Sequence, residues 1–430
     1  MTEPLARTLE AEIRARQMPL AHDCPWRGEI IWPHYDGLSI ANIPGAVARA
    51  LGVDLPGAAP PLDARLLDPA ARFERVVLIL LDGFGYNLLQ ALRAEPAFAQ
   101  MVDDIVGDGV LAPLTSVFPS TTVTALTTLW TGFTPAGHGM LGTRQLMREY
   151  GAVVNMLSLS PLASKGHHEL LAWGYEADKA LGMPGMAEVL ARAGVPTHLV
   201  IQGNLAGSGL SNVLHRGVGH VHRLIDFVDL WAVVEELMEA TQRERSFLAV
   251  YWGALDGVSH YSGARSRRTL AEAHEQMRRL RDFMDQWATG DGRTLVIALA
   301  DHGHVDFREA DKVRLAQHPA LADALYLPPA GEARASYLFL RAGRRAQALD
   351  YLRARLRDRA TAIDAQAALD AGLFGGGPRH PETAARVGDV VVLFREGAQL
   401  SDPLDFFPFS SGHGALAAGE MLVPAMIRAL

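Results

Sequence analysis

Six residues of this 430-residue chain combine ligand-type side chains with settings that suit metal chemistry: Asp82, Asp256, His260, Asp301, His302 and His413. Asp82 follows the apolar run Val76–Leu81 and precedes Gly83. Asp256 comes a few residues after the run Phe247–Tyr251, with His260 four residues on. The pair Asp301-His302 ends the run Leu295–Ala300. His413 lies between glycines in Ser410-Ser411-Gly412-His413-Gly414. Three carboxylates and three imidazoles suit zinc, and less selectively manganese or iron. Two cations would each need about three protein ligands, with positions left open for substrate. Singly, each residue has a blander explanation, because an Asp after a strand is usually a turn or cap residue. Several independent strand ends imitating a metal site together is a much less ordinary coincidence.

A hydroxyl cluster stands nearby. In Pro113–Leu126 an extended stretch containing Pro119 runs into a helical stretch that ends near Gly132, which places Ser120, Thr121 and Thr122 at a helix start. An N-cap is the usual role there. A helix N-terminus also favours an alkoxide and a bound phosphate, and a metal can activate the hydroxyl. On physical grounds all three hydroxyls remain open.

The elements that must position these groups are legible as alternation. The three apolar runs read as strands buried on both faces, hence a parallel sheet. Helical stretches such as Met186–Ala193 and Leu270–Ala288 lead into the strands Thr197–Ile201 and Leu295–Ala300, which gives βαβ order. The carboxyl ends of such strands share one rim, where ligands bind. After Asp301 the texture changes. Ala335–Leu340 and Val387–Phe394 read as strands and Arg345–Arg357 as a helix. We expect a single domain over residues 1–430 with a small α/β insertion, or cap, at about 306–400.

The order Asp82-Gly83, Phe118-Pro119-Ser120-Thr121-Thr122, Thr131-Gly132-Phe133-Thr134-Pro135-Ala136-Gly137-His138-Gly139, Asp256-x-x-x-His260, Asp301-His302-Gly303 and Gly412-His413-Gly414 resembles the alkaline phosphatase superfamily, and within it the type I phosphodiesterase and nucleotide pyrophosphatase family. The resemblance implies an alkaline-phosphatase-like α/β sandwich with a mostly parallel central sheet flanked by helices. It implies two divalent ions, zinc in first place with manganese or iron as alternates. Asp256, His260 and His413 would hold one, and Asp82, Asp301 and His302 the other. It makes Thr122 the nucleophile, which would form a covalent phospho-threonine, and leaves loop or cap roles to Ser120 and Thr121. His138 would be structural, and His304 has no counterpart.

The segment Met140-Leu141-Gly142-Thr143-Arg144 lacks the Asn that phosphodiesterase members often carry there. Thr143 and Arg144 are therefore the candidate substrate contacts. The expected activity is hydrolysis of a phosphodiester or a nucleotide-type pyrophosphate. The alternatives are a phosphomonoesterase, another phosphoryl or phosphonate hydrolase, or a non-catalytic metal-stabilised scaffold. Tyr150, Trp173 and Trp252 are candidate stacking residues.

Composition bounds the rest. With 49% apolar and 20% charged residues the chain is globular rather than disordered. A formal charge of −8 argues against a nucleic-acid-binding surface. Cys24 is the only cysteine, which excludes an intramolecular disulfide. No apolar run approaches the roughly 20 residues needed to span a bilayer, and no secretory leader is read. The expectation is a cytoplasmic protein acting on a small phosphorylated substrate.

Overall fold

The computed structural model describes residues 2–242, 244–288, 290–402, 404 and 409–430. Seven strands form the central sheet. In chain order they are β1 (Arg75–Leu81), β2 (Val110–Thr115), β3 (Thr197–Gln202), β4 (His220–Leu224), β5 (Ser246–Trp252), β6 (Thr294–Leu299) and β7 (Leu422–Ala429). Their spatial order is β2-β7-β6-β1-β5-β3-β4. β1 pairs in parallel with β5 and β6, and β3 pairs in parallel with β5 and β4. Only β7 runs the other way, between β6 and β2.

The sequence accounts for this arrangement. β1 (Arg-Val-Val-Leu-Ile-Leu-Leu) and β6 (Thr-Leu-Val-Ile-Ala-Leu) are buried at every position, as expected of strands covered on both faces. Three adjacent strands, β6, β1 and β5, end together, with Leu80 opposite both Tyr251 and Leu299. Asp82, Asp301 and the helix carrying Asp256 therefore leave the sheet side by side. Two glycines let those loops close up. A Cβ on Gly83, whose φ is +78°, would lie 3.0 Å from the Asp256 Cα and 3.1 Å from His304 Nε2, and a Cβ on Gly303 would lie 2.2 Å from the Gly419 carbonyl oxygen.

A second seven-stranded sheet is antiparallel throughout. Its order is Ala360–Asp364, Val390–Phe394, Ala335–Leu338, Ala330–Gly331, Arg144–Met147, Ala152–Asn155 and Ser160–Pro161. Residues 330–394 thus build part of it, and the stretch just after Gly137-His138-Gly139 completes it. The helix Arg345–Leu356 covers it through a small core of its own, including Leu338, Leu352, Leu356, Val390 and Val392. Among the described residues no helix is long and apolar enough to cross a membrane.

Candidate active site

The helix α1 (Thr122–Thr131) begins where the extended stretch through Pro119 ends. Thr121 is its N-cap, and Gly132, left-handed at φ 79°, closes it. The three candidate hydroxyls are separated by their partners. Ser120 Oγ donates to the Ala415 carbonyl at 2.9 Å and accepts from the Gly414 N–H at 3.2 Å, so it holds the His413 loop. Thr121 Oγ1 lies 3.4 Å from Thr143 Oγ1. Thr122 Oγ1 lies 3.1 Å from His302 Nε2.

The six ligand-type residues converge beside Thr122. His260 and Asp256 come from helix α2 (Ala254–Ser262), one turn apart. The His302 Nε2 atom is 3.4 Å from Asp82 Oδ1 and 3.4 Å from Asp301 Oδ2. His413 Nε2 is 3.2 Å from His260 Nε2 and 3.5 Å from Asp256 Oδ1. The His302 and His413 rings stack with centroids 3.6 Å apart. Two groups offer ligand atoms that all lie within 4.8 Å of one another: Asp256, His260, His304 and His413, and then Asp82, Asp256 and His302. Asp256 thus faces both groups, and Asp301 adjoins the second through His302.

These residues fit divalent cations. Asp82 and Asp301 are buried, and Asp82 Oδ1 and Asp301 Oδ2 accept no hydrogen bond. A buried carboxylate oxygen without a partner is costly unless a cation faces it. Each imidazole is also oriented from behind. Nδ1 of His260, His302 and His413 lies within 3.1 Å of the carbonyl oxygens of Ser411, Gly303 and Ser120 respectively. A ring that donates Nδ1–H to a carbonyl presents the Nε2 lone pair forward, the usual support of a metal-ligating histidine.

The electrostatics agree. Burial, with the charges of Asp301 and Asp256, pushes the Asp82 carboxyl well above its usual range. Burial also pushes Asp301 up to about 6, with the Asp256 charge adding to it. Burial would raise Asp256 too, but the imidazoles around it, His260 first and then His304 and His413, hold it well below. Burial and the neighbouring His413 keep His302 neutral, well below the usual imidazole range. This is a concentration of negative charge that a cation would relieve.

Two residues outside the motif reading also belong to the cluster. The Tyr251 hydroxyl donates to Asp82 Oδ2. The His304 Nε2 atom is 2.9 Å from Asp256 Oδ1. Tyr251 is concealed in an apolar strand run. His304 had one visible signal, its place two residues after His302, which returns its side chain to the same side of an extended segment. His138 is elsewhere: it is fully buried with Nε2 2.9 Å from Thr128 Oγ1, and it accepts from the Met140 N–H.

The Thr143 N–H donates to Glu332 Oε1 at 2.6 Å. Arg144 is largely buried, which lowers its guanidinium pKa, with the charges of Asp402 and Glu332 acting against that. A cavity of about 220 Å³ borders Thr122; Leu126, Leu129, Trp130, Leu199, Leu210 and Phe247 are among its lining residues, and Tyr251 closes part of it. Trp252 is buried with its indole N–H on Glu272, Tyr150 packs edge-on against Tyr175, and Trp173 is half exposed. None of these three lines that cavity.

No curated protein matches the sequence. Solved structures do match the fold. Murine ectonucleotide pyrophosphatase/phosphodiesterase 5 superposes with a TM-score of 0.60 at 16% identity, covering 81% of this chain and 87% of that one. The phosphonoacetate hydrolase of Sinorhizobium meliloti 1021, in complex with phosphonoformate, superposes with a TM-score of 0.60 at 17% identity, covering 87% and 92%. At such identities the likeness concerns the fold. Residues 76–404 match the family model described as type I phosphodiesterase / nucleotide pyrophosphatase. That span holds Thr122 and every ligand-type residue of the cluster except His413. The chain belongs to the type I phosphodiesterase/nucleotide pyrophosphatase family of metal-dependent phosphoester hydrolases.

Proposed function

We propose that the protein hydrolyses a phosphodiester carrying an apolar ester group, through a covalent intermediate on Thr122. The observation that carries this reading is the position of the Thr122 hydroxyl. It starts helix α1, lies 3.1 Å from His302 Nε2, and borders an apolar cavity.

Asp256, His260 and His413 would hold one divalent ion, and Asp82, Asp301 and His302 the other, with zinc the ion that the donor set suits best. When bound, such ions lower the pKa of a coordinated hydroxyl and stabilise charge on phosphoryl and leaving oxygens. The remaining steps belong to the chain. Thr122 Oγ1 loses its proton and bonds to phosphorus, while the bond from phosphorus to the leaving ester oxygen breaks. The first-turn N–H groups of α1 have no intrahelical acceptors and point to where the non-bridging oxygens gather charge. Water then attacks the phospho-threonine, and Oγ1 leaves with a proton restored. Thr143, at the Thr121 hydroxyl, and Arg144, which follows it and opens the strand Arg144–Met147, are assigned to substrate contact.

The cavity favours an alkyl or aryl group over a charged one, because a carboxylate placed among Leu126, Leu129, Leu199 and Leu210 would lose its hydration without a partner. The test is turnover of bis-p-nitrophenyl phosphate, p-nitrophenyl phosphate and phosphonoacetate by the metal-loaded enzyme and by Thr122→Ala. Faster diester cleavage, abolished in Thr122→Ala with metal content unchanged, is the expected result. A preference for the monoester would assign a phosphatase, and a preference for phosphonoacetate would assign a phosphonate hydrolase.

A further inference from the structure

His304 is outside the ligand set that the motif order implies, yet its imidazole faces the same point as three members of that set. Its Nδ1 lies 3.2 Å from Ser411 Oγ, and its Nε2 lies 2.9 Å from Asp256 Oδ1. The single proton of the Ser411 hydroxyl is already committed, because Oγ donates to the Ser259 carbonyl at 2.6 Å. Ser411 Oγ can therefore only accept from His304, which places the imidazole proton on Nδ1. In a neutral ring Nε2 then carries a lone pair, aimed at a carboxylate oxygen less than 3 Å away. A lone pair and a carboxylate oxygen held that close form a donor pair that suits a shared cation.

The neighbouring rings repeat the pattern. His260 and His413 also lie with Nδ1 against backbone carbonyls, and their Nε2 atoms stand 3.2 Å apart. All four ligand atoms, Asp256 Oδ1 and the three Nε2, fall in one group. The His304 side chain is 3% exposed, so bulk water does not serve as its partner. The absent Cβ of Gly83 is part of the arrangement, since a Cβ there would lie 3.1 Å from His304 Nε2.

Building on the two-metal reading, we infer that His304 is a fourth protein ligand of the ion held by Asp256, His260 and His413. The two sites are then unequal. The first has three imidazoles and a carboxylate, a nearly closed shell. The second, with Asp82, Asp301 and His302 beside Thr122, keeps the open positions that substrate needs. One ion should be held tightly and the other should exchange.

The experiment uses the full chain, stripped of metal and titrated with cobalt(II). Affinities come from competition with a chromophoric chelator, and ligation comes from the visible absorption of the bound ion. Wild type is expected to bind two ions of clearly different affinity. In His304→Ala and in the similarly sized His304→Gln, the tight ion should weaken by about 100-fold or more and its visible bands should change, while the weak ion is unaffected. Both variants are checked for wild-type circular dichroism, and the variant that passes is the one scored. If such a variant keeps two wild-type affinities and an unchanged spectrum, His304 is only a hydrogen-bond partner of Asp256 and the inference is overturned. If wild type itself does not bind two ions, the two-metal reading fails and the inference falls with it.

Discussion

The Tyr251 hydroxyl donates to one oxygen of Asp82, Oδ2, while the other, Oδ1, faces His302 Nε2 at 3.4 Å. The carboxylate is thus held from behind by the penultimate residue of a neighbouring strand, with one oxygen kept for the site. Burial and the Asp82 charge together push the phenol pKa up, so it remains a donor. Tyr251→Phe should leave the fold intact and weaken the ion at Asp82 by roughly 10- to 100-fold, the usual cost of losing a hydrogen bond to a ligand. Chelator competition on the purified variant checks this, and wild-type affinity would remove Tyr251 from the site.

The loop carrying His413 hangs on a buried ion pair. Arg334 and Glu420 are both inaccessible, with Arg334 Nη2 2.7 Å from Glu420 Oε1. The same carboxylate accepts the N–H groups of Ala415 and Ala417. Glu420→Gln leaves a guanidinium buried without its counter-charge, at a cost of about 3–5 kcal/mol. Urea denaturation should show that loss, together with a weaker ion at His413. An unchanged midpoint would mean the loop is held by other contacts.

The apolar cavity predicts a chain-length series. With alkyl p-nitrophenyl phosphates, kcat/KM should rise by up to about fourfold for each methylene that enters the cavity. Leu126→Trp, which fills the space beside Thr122, should flatten the series and change the methyl ester little. A flat series in wild type would place the ester group elsewhere.

Acid should destabilise the protein through a histidine remote from the chemistry. Burial, with His380 and Arg386 nearby, lowers His138 to about 3. An unfolded chain takes up that proton near pH 6.5. Between about pH 6.5 and 3 the unfolded state therefore binds more protons than the folded one. Stability falls as pH falls, by about 1.4 kcal/mol per pH unit for this one group. His138→Gln should show a shallower dependence in thermal denaturation from pH 7 to 5. An equal slope would assign the proton uptake to other groups.

The sheet ends were legible in the sequence because β1, β5 and β6 are nearly continuous apolar runs, each leading to an acidic residue. The expected strand Leu295–Ala300 is Thr294–Leu299, and the expected helix Leu270–Ala288 is Arg267–Trp287, differences confined to the ends. The second sheet was much harder to read. Its strands are two to five residues long and pair residues far apart, such as Gly331 with Arg144. Part of Val387–Phe394, read as one strand, is the end of a helix, Thr383–Val387, followed by a strand from Val390, because Gly388 turns the chain at φ 72°. The candidate ligands that lie on motifs were visible. Tyr251, on a core position, meets Asp82 through a contact that no local pattern encodes, and the i+2 spacing of His304 from His302 does not by itself show its contact with Asp256.

Everything in the proposed reaction turns on whether Thr122 bonds to phosphorus. The most direct measurement is rapid acid quench of the metal-loaded enzyme with bis-p-nitrophenyl phosphate, followed by mass spectrometry of the peptide spanning residues 113–131. A phosphoryl adduct on Thr122 that forms and decays at rates consistent with turnover is the expected result. An adduct on Ser120 or Thr121, or full turnover by Thr122→Ala, would contradict it.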